Sequence, residues 1–265
     1  TRGDRGGGVS VRGTPPRKIY DPGDVHLKCR DRPGAFGFRV SLEVMANNAF
    51  SDNDPTVDLN SWFSGARMSR YAFHPAVEDL YVWNTRLSKA LLEDIQHVEV
   101  LLRNRVDSAL SPHYGSHWFN NTQIPFDHLA RKSIGKAQRR AGGTDAVPAP
   151  SGTIIAELSF DFWFFLLSSR YQTTVWPKLQ ATLIGSPPPS LAAFRGEVEL
   201  IYRLRNRCAH HEPLVQASRP AEDSYLDRRQ LALDRTARWI CPAAADWILS
   251  HSRIAGLREL CPGNP

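Results

Sequence analysis

One segment constrains the fold more than any other, because apolar side chains recur at steps of three and four residues between residues 86 and 110. They are Leu87, Leu91, Ile95, Val98, Leu102, Val106 and Ala109. This spacing predicts an amphipathic α-helix of about seven turns, whose apolar face must pack against other elements. Asn84 or Thr85 is suited to cap its start, and Pro112 and Gly115 close the region beyond its end.

Further helical segments follow, and no alternating β pattern competes with them. An aromatic-rich stretch at residues 153–170 leaves few polar faces and predicts a central core helix. Two more helices are expected at about residues 224–240 and 243–253, separated by Pro242, which suits the first turn of the second helix. We therefore expect an all-α fold in the form of a helical bundle.

The domain organisation follows from length and composition. A chain of 265 residues with 42% hydrophobic content can bury one sizeable core. Residues 1–44 are rich in Gly, Arg and Pro, and we expect them to be disordered or to lie upstream of the true start, since Met45 opens a more ordinary sequence. A basic tail that attracts nucleic acid is the alternative. Residues 45–69 form a lead-in, 70–255 the helical domain and 256–265 a C-terminal tail.

Composition and charge bear on which partners, location and cofactors we expect for this protein. The net charge is +6 with a sequence pI near 9.3, which suits a polyanionic partner, although a genome-wide bias toward arginine is an equal alternative. No apolar run is long enough for a membrane span, so we expect a cytoplasmic protein without membrane contact. Cys29, Cys208, Cys241 and Cys261 show neither metal-ligand nor disulfide spacing, so neither a metal nor another cofactor is expected.

The most informative segment runs from residue 190 to residue 214. Its apolar residues share one helical face: Leu191, Phe194, Val198, Ile201, Cys208 and Ala209. Arg205 is expected in the middle of that face, where a guanidinium needs an anion, a carboxylate or a wet cleft. Asn206 and His210 are four residues apart and therefore neighbours on one flank. His211 points elsewhere if the helix continues.

The segment RLRNRCAHHEPL at residues 203–214 resembles the R-N-x-x-x-H-H-E-P signature of the Abi-like family within the HEPN superfamily. Other segments agree with that family in order and spacing over about residues 70–250. They are LSKALL from 87, VEVLLRN from 98, YGSHW from 114, ELSFDFWF from 157, WPKL from 176 and WICP from 239.

This resemblance implies that the fold is a HEPN-like helical bundle with additional helices. It also implies that the protein is an abortive-infection toxin that cleaves RNA. Arg205 and His210 would be the catalytic pair of the superfamily's R-x4-6-H motif, with Asn206 as a polar companion. The resemblance also implies a homodimer with a composite active site. An antitoxin or another regulatory partner is a further expectation.

The residue types suit RNA cleavage without a metal ion. One group must take the proton of the 2′-hydroxyl and another must protonate the departing 5′-oxygen, and a histidine can do either. A guanidinium can stabilise the charge that gathers on the phosphoryl oxygens, and the product would carry a 2′,3′-cyclic phosphate. One histidine cannot easily do both steps, so either a dimer or His211 supplies the second group. The sequence leaves both open.

Each candidate also has a plainer interpretation. His210 could only complement the helix dipole, Arg205 could form a structural ion pair with Glu99 or Glu157, and Asn206 could bond the backbone at the helix end. Five basic residues are weak RNA-binding candidates and could equally form a solvated helix face: Arg131, Lys132, Lys136, Arg139 and Arg140. The alternative function is a non-catalytic RNA- or protein-binding HEPN module, such as one partner of a toxin–antitoxin pair.

Overall fold

A computed structural model describes residues 57–143, 147, 149–216 and 218–263. Across these residues every regular element is helical, which confirms the predicted all-α class. The α-helices are α1 Leu59–Phe63, α2 Gly65–Met68, α3 Val77–Tyr114, α4 His128–Arg140, α5 Ser151–Glu157, α6 Phe160–Phe165, α7 Trp176–Ala181, α8 Leu191–Ala209, α9 Arg219–Ile240, α10 Pro242–His251 and α11 Ile254–Glu259. Short 3-10 turns lie at Trp118–Asn120 and Ser169–Tyr171. The expectations for residues 1–44 fall outside the described residues.

The long helix α3 extends beyond its predicted bounds at both ends and contains 38 residues. It begins earlier because Leu80 and Trp83 continue the buried stripe toward the N-terminus. The prediction that Asn84 or Thr85 caps this helix is therefore wrong, since both lie inside it. Its end is marked by Gly115, whose φ of 83° lies in a region that glycine adopts without a Cβ clash.

The aromatic stretch does not form the single helix predicted for residues 153–170. It forms α5 and α6, because Leu158 between them has extended backbone angles of φ −74° and ψ 126°. The break lets Leu158 and Phe160 both be buried. The Trp163 side chain donates a hydrogen bond of 3.3 Å to the Leu158 carbonyl, so the backbone group released by the break remains paired. The expected core position is nevertheless found for α6, apart from Phe165, which is 54% exposed.

Helices α3, α8 and α9 pack against one another and carry much of the core. Phe194 of α8 is fully buried, with its ring centroid 5.7 Å from those of both Trp176 and Trp239. Glu197 is buried on the same face and is paired with Arg228 at 2.6 Å and with Arg235 at 3.3 Å. The ion pairs explain how a carboxylate is accommodated within the apolar face of α8.

The C-terminal helices complete the packing around α3. Pro242 is the first residue of α10, as predicted. Helix α11 crosses the predicted domain limit at residue 255 and packs on α3, where the Trp83 indole donates a hydrogen bond of 2.7 Å to the Leu257 carbonyl. Among the helices that the structure describes, none combines the length and apolar character needed to cross a membrane.

Candidate active site

The candidate site is built on the second half of α8. This helix begins at Ser190, whose hydroxyl accepts a hydrogen bond of 3.1 Å from the Ala193 N–H. The predicted apolar face is buried except at Ala209, which is partly exposed, and Arg205 does not lie in its middle. Leu204 takes that place and is fully buried, while Arg205 lies half-buried at the edge. The guanidinium therefore remains next to solvent and escapes the full cost of desolvation.

The helix ends earlier than the sequence suggested. His210 is the C-cap, and its N–H donates to the Asn206 carbonyl at 2.9 Å. His211 adopts a left-handed φ of 57°, so the helix does not continue through it. The Glu212 N–H bonds back to the Arg207 carbonyl at 2.9 Å, and Arg67 donates to the His211 carbonyl at 2.6 Å. These bonds satisfy carbonyls that the end of the helix would otherwise leave unpaired.

The chain after this turn is anchored to α3. Leu214 is fully buried, and its N–H donates a hydrogen bond of 2.7 Å to the side-chain oxygen of Asn84, which is also buried. Asn84 therefore holds the end of the 203–214 segment in place. This bond connects the longest helix of the fold to the turn that carries His210.

Replacing Asn84 with alanine is expected to lower the free energy of unfolding by about 1–3 kcal/mol, because the buried Leu214 N–H would lose its partner. Urea denaturation measures the loss, and hydrogen exchange at Leu214 should accelerate. Thr85→Ala is the matched control, since among the described residues the exposed Thr85 hydroxyl bonds only the Tyr81 carbonyl of its own helix. Equal stability of the two variants would contradict an anchoring role for Asn84.

Four polar side chains, those of Arg205, Asn206, Tyr202 and Asp161, lie next to one another, and we call them the Arg205–Asp161 chain. The Arg205 guanidinium donates to the Asn206 side-chain oxygen at 3.3 Å, and the Tyr202 hydroxyl donates to Asp161 at 2.6 Å. The Asn206 side chain lies close enough to the Tyr202 hydroxyl to influence its pKa. The hydrogen bond to Asp161 and, less strongly, burial raise the pKa of Tyr202, while the bond from Asn206 opposes this effect. Asn206 therefore lies between the Arg205 guanidinium and the Tyr202 hydroxyl.

Arg205 also faces Glu99 on α3. Burial raises the pKa of Glu99, and the positive charges of Arg205 and Arg103 partly offset that rise. Among the described residues, however, the only direct side-chain hydrogen bond of Arg205 is to Asn206. Glu157, the other carboxylate considered as a partner, is exposed at the end of α5. Arg205 thus keeps further N–H groups for a ligand, which an established ion pair would have occupied.

His210 is exposed one helical turn after Asn206. Within the described part of the chain, no side chain or carbonyl forms a hydrogen bond with its imidazole. His211 is exposed as well, but its left-handed backbone separates it from the helical flank that Asn206 and His210 share. The structure therefore places Arg205, Asn206 and His210 together at the end of α8.

The five basic candidates are not part of this arrangement. Arg131, Lys132, Lys136, Arg139 and Arg140 are all exposed on α4, whose N-terminus is capped by Asp127. In the described residues they form no hydrogen bond or ion pair with Arg205, Asn206 or His210. They remain a solvated helix face that is available to a polyanion.

Sequence reasoning missed Tyr202 and Asp161. Tyr202 lies four residues before Asn206, so helical spacing alone could have placed it on the same flank. Its ring stacks on Phe164 of α6, with centroids 4.6 Å apart and planes 9° apart. Asp161 is the one polar residue within an aromatic run, and only the tertiary structure connects it to Tyr202.

The described residues contain no group of three or more His, Cys, Asp or Glu side chains placed to hold a metal ion. Comparisons with protein-family models, with curated proteins and with solved structures found no match for this chain.

Proposed function

We propose that this protein is a metal-independent endoribonuclease that acts as a cytoplasmic toxin of antiphage defence. One observation carries the proposal: Arg205, Asn206 and His210 lie together at the end of α8, with the guanidinium held by a hydrogen bond and the imidazole exposed. The resemblance of residues 203–214 to the Abi-like signature supports the biological role. A partner that restrains the toxin before infection belongs to the same proposal.

The chemistry can be written in full with the groups at this site. A base removes the proton of the 2′-hydroxyl, the 2′-oxygen attacks phosphorus, and the bond from phosphorus to the 5′-oxygen breaks. An acid protonates the departing 5′-oxygen, which leaves one product with a 2′,3′-cyclic phosphate and the other with a 5′-hydroxyl. His210 performs one proton transfer, and Arg205 stabilises the charge on the phosphoryl oxygens.

The test is to incubate end-labelled total RNA and tRNA with the protein in EDTA and to analyse the new 3′ ends. We expect the new 3′ ends to carry a 2′,3′-cyclic phosphate. Such ends resist ligation until an enzyme that is active on cyclic phosphates has opened the ring and removed the phosphate. New 3′-hydroxyl ends, or cleavage that stops when divalent ions are chelated, would contradict the proposal.

The second proton transfer is assigned to a second copy of the chain. One imidazole cannot act as base and acid in the same step, and a two-fold axis brings two identical sites into one cleft. The exposure of His210 is compatible with such an arrangement, because nothing in the described residues covers its ring. His211 is the alternative source of the second group.

Mixed dimers distinguish these two sources. Co-expression of wild-type chains with an excess of His210→Ala chains, purified through two different tags, is expected to yield heterodimers with at least about tenfold lower cleavage. The reason is that a cleft shared by both chains contains only one of its two imidazoles in such a heterodimer. Heterodimers with half of the wild-type activity would instead place the complete site within one chain.

Tyr202→Phe is expected to lower kcat by about tenfold and to leave KM for RNA nearly unchanged, because the lost hydroxyl would no longer hold Asn206 and, through it, Arg205. The variant keeps the ring that stacks on Phe164. Tyr225→Phe is the matched control, since in the part of the chain that the structure describes the Tyr225 hydroxyl accepts a single long hydrogen bond of 3.5 Å, from Arg207. A rise in KM with kcat unchanged would show that Tyr202 serves RNA binding instead.

A further inference from the structure

An open pocket of about 180 Å³ lies between α4 and α6. We call it the α4–α6 pocket. Its walls are largely apolar and come from Leu129, Phe162, Phe165, Leu166 and Tyr171. Two of these side chains are well exposed, since Leu129 is 70% and Phe165 is 54% accessible to solvent. An aromatic side chain exposed at the mouth of a concave site is suited to stack on a flat ligand.

Two carboxylates line the same pocket, from Asp127 and Asp161. One oxygen of Asp127 caps α4 by accepting the Ala130 N–H at 2.8 Å. One oxygen of Asp161 accepts a hydrogen bond of 2.6 Å from the Tyr202 hydroxyl, and within the described residues the other oxygen has only a long 3.4 Å contact from the Ser159 hydroxyl. Each carboxylate therefore retains capacity to accept hydrogen bonds from a ligand, while its charge disfavours a phosphate.

Asp161 connects this pocket to the candidate active site. It lines the pocket, and it is also the last member of the Arg205–Asp161 chain. A group bound in the pocket therefore lies next to the partner of Tyr202, which is on the same helix as Arg205 and three residues before it. Such a location suits the part of a substrate that flanks the reacting phosphate.

We propose that the α4–α6 pocket binds a guanine base of the RNA substrate. The base stacks on Phe165 and directs its donor edge at Asp161. Guanine presents N1–H and the 2-amino group side by side, and a carboxylate can accept both, whereas adenine and cytosine lack that pair of donors. The proposal rests on the proposed ribonuclease function, because it assigns to that site the base it prefers.

The direct test is a calorimetric titration of the protein with 5′-GMP, 5′-AMP, 5′-CMP and 5′-UMP. Wild-type and His210→Ala proteins are both expected to bind GMP at least about tenfold more tightly than the other three nucleotides. Phe165→Ala should weaken GMP binding by about tenfold, which is within the range for loss of one base–aromatic stack. Asp161→Asn should reduce the preference for GMP over AMP.

Phe73→Ala is the matched control, because Phe73 is 52% exposed and does not line the α4–α6 pocket. It should leave GMP binding unchanged. Equal affinity for the four nucleotides, no saturable GMP binding, or GMP binding that Phe165→Ala does not weaken would each overturn the proposal. If the pocket instead takes an apolar side chain of a protein partner, no saturable GMP binding will be observed.

The two proposals can fail separately. If the protein binds guanine but leaves RNA intact, the pocket is a nucleotide site and the ribonuclease function is wrong. Cleavage of RNA without preference for guanine, together with no GMP binding, would retain the ribonuclease and remove the pocket assignment.

Discussion

His210→Ala is expected to lower the rate of RNA cleavage by about 10²- to 10⁴-fold, the usual contribution of a positioned general acid or base. RNA affinity and thermal stability should hardly change, because the imidazole is exposed and the backbone of His210 provides the cap hydrogen bond at 2.9 Å. Single-turnover kinetics with an excess of enzyme measure the chemical step, and filter binding measures affinity.

His211→Asn is the matched control for this experiment. Asparagine tolerates the left-handed backbone at φ 57° better than most residues, so the turn should persist while the second imidazole is removed. Cleavage is expected to remain within about twofold of wild type if the other chain of a dimer supplies the second proton transfer. A larger loss in His211→Asn than in His210→Ala would reverse the assignment of the two histidines.

Phe194→Ala is expected to lower the free energy of unfolding by about 3–5 kcal/mol, as for other fully buried phenylalanines. Its ring lies between Trp176 and Trp239, so truncation would open a cavity where α8 meets its neighbours. Equilibrium denaturation in guanidinium chloride measures the loss. A folded but weakened variant should also lose RNA cleavage at temperatures that wild type tolerates.

Phe73→Ala serves as the control for burial, since it removes the same side chain from a position that is 52% exposed. Its effect on stability should be below about 1 kcal/mol. Similar losses in the two variants would contradict the central place of Phe194 in the core.

The longest and most regular elements could be predicted from the sequence because their apolar residues repeat with the helical period. The buried stripe of α3 coincides with the predicted one from Leu87 to Ala109. The ends could not be predicted in the same way. Asn84 is a residue type that often caps helices, but here its side chain accepts a hydrogen bond from the N–H of Leu214, 130 positions later in the chain. The break at Leu158 likewise depends on burial from several sides, which a one-dimensional pattern does not record.

The candidate site was predictable in part for a similar physical reason. Asn206 and His210 are neighbours because they lie on one helix, and spacing along a helix can be read directly. Arg205 was expected within the apolar face, whereas Leu204 fills that position. Asp161 comes from another helix and reaches the site through tertiary packing alone.

Attack by the 2′-oxygen is tested by incubating the protein in EDTA with an RNA oligonucleotide and with an oligonucleotide of the same sequence that carries 2′-deoxyribose throughout. Because the 2′-oxygen is the attacking atom, we expect the wild type to cleave the RNA and to leave the deoxy oligonucleotide intact, and we expect His210→Ala to lose RNA cleavage. Cleavage of both oligonucleotides, or an intact RNA that the protein nevertheless binds, would contradict the account, and the second result would favour a binding module.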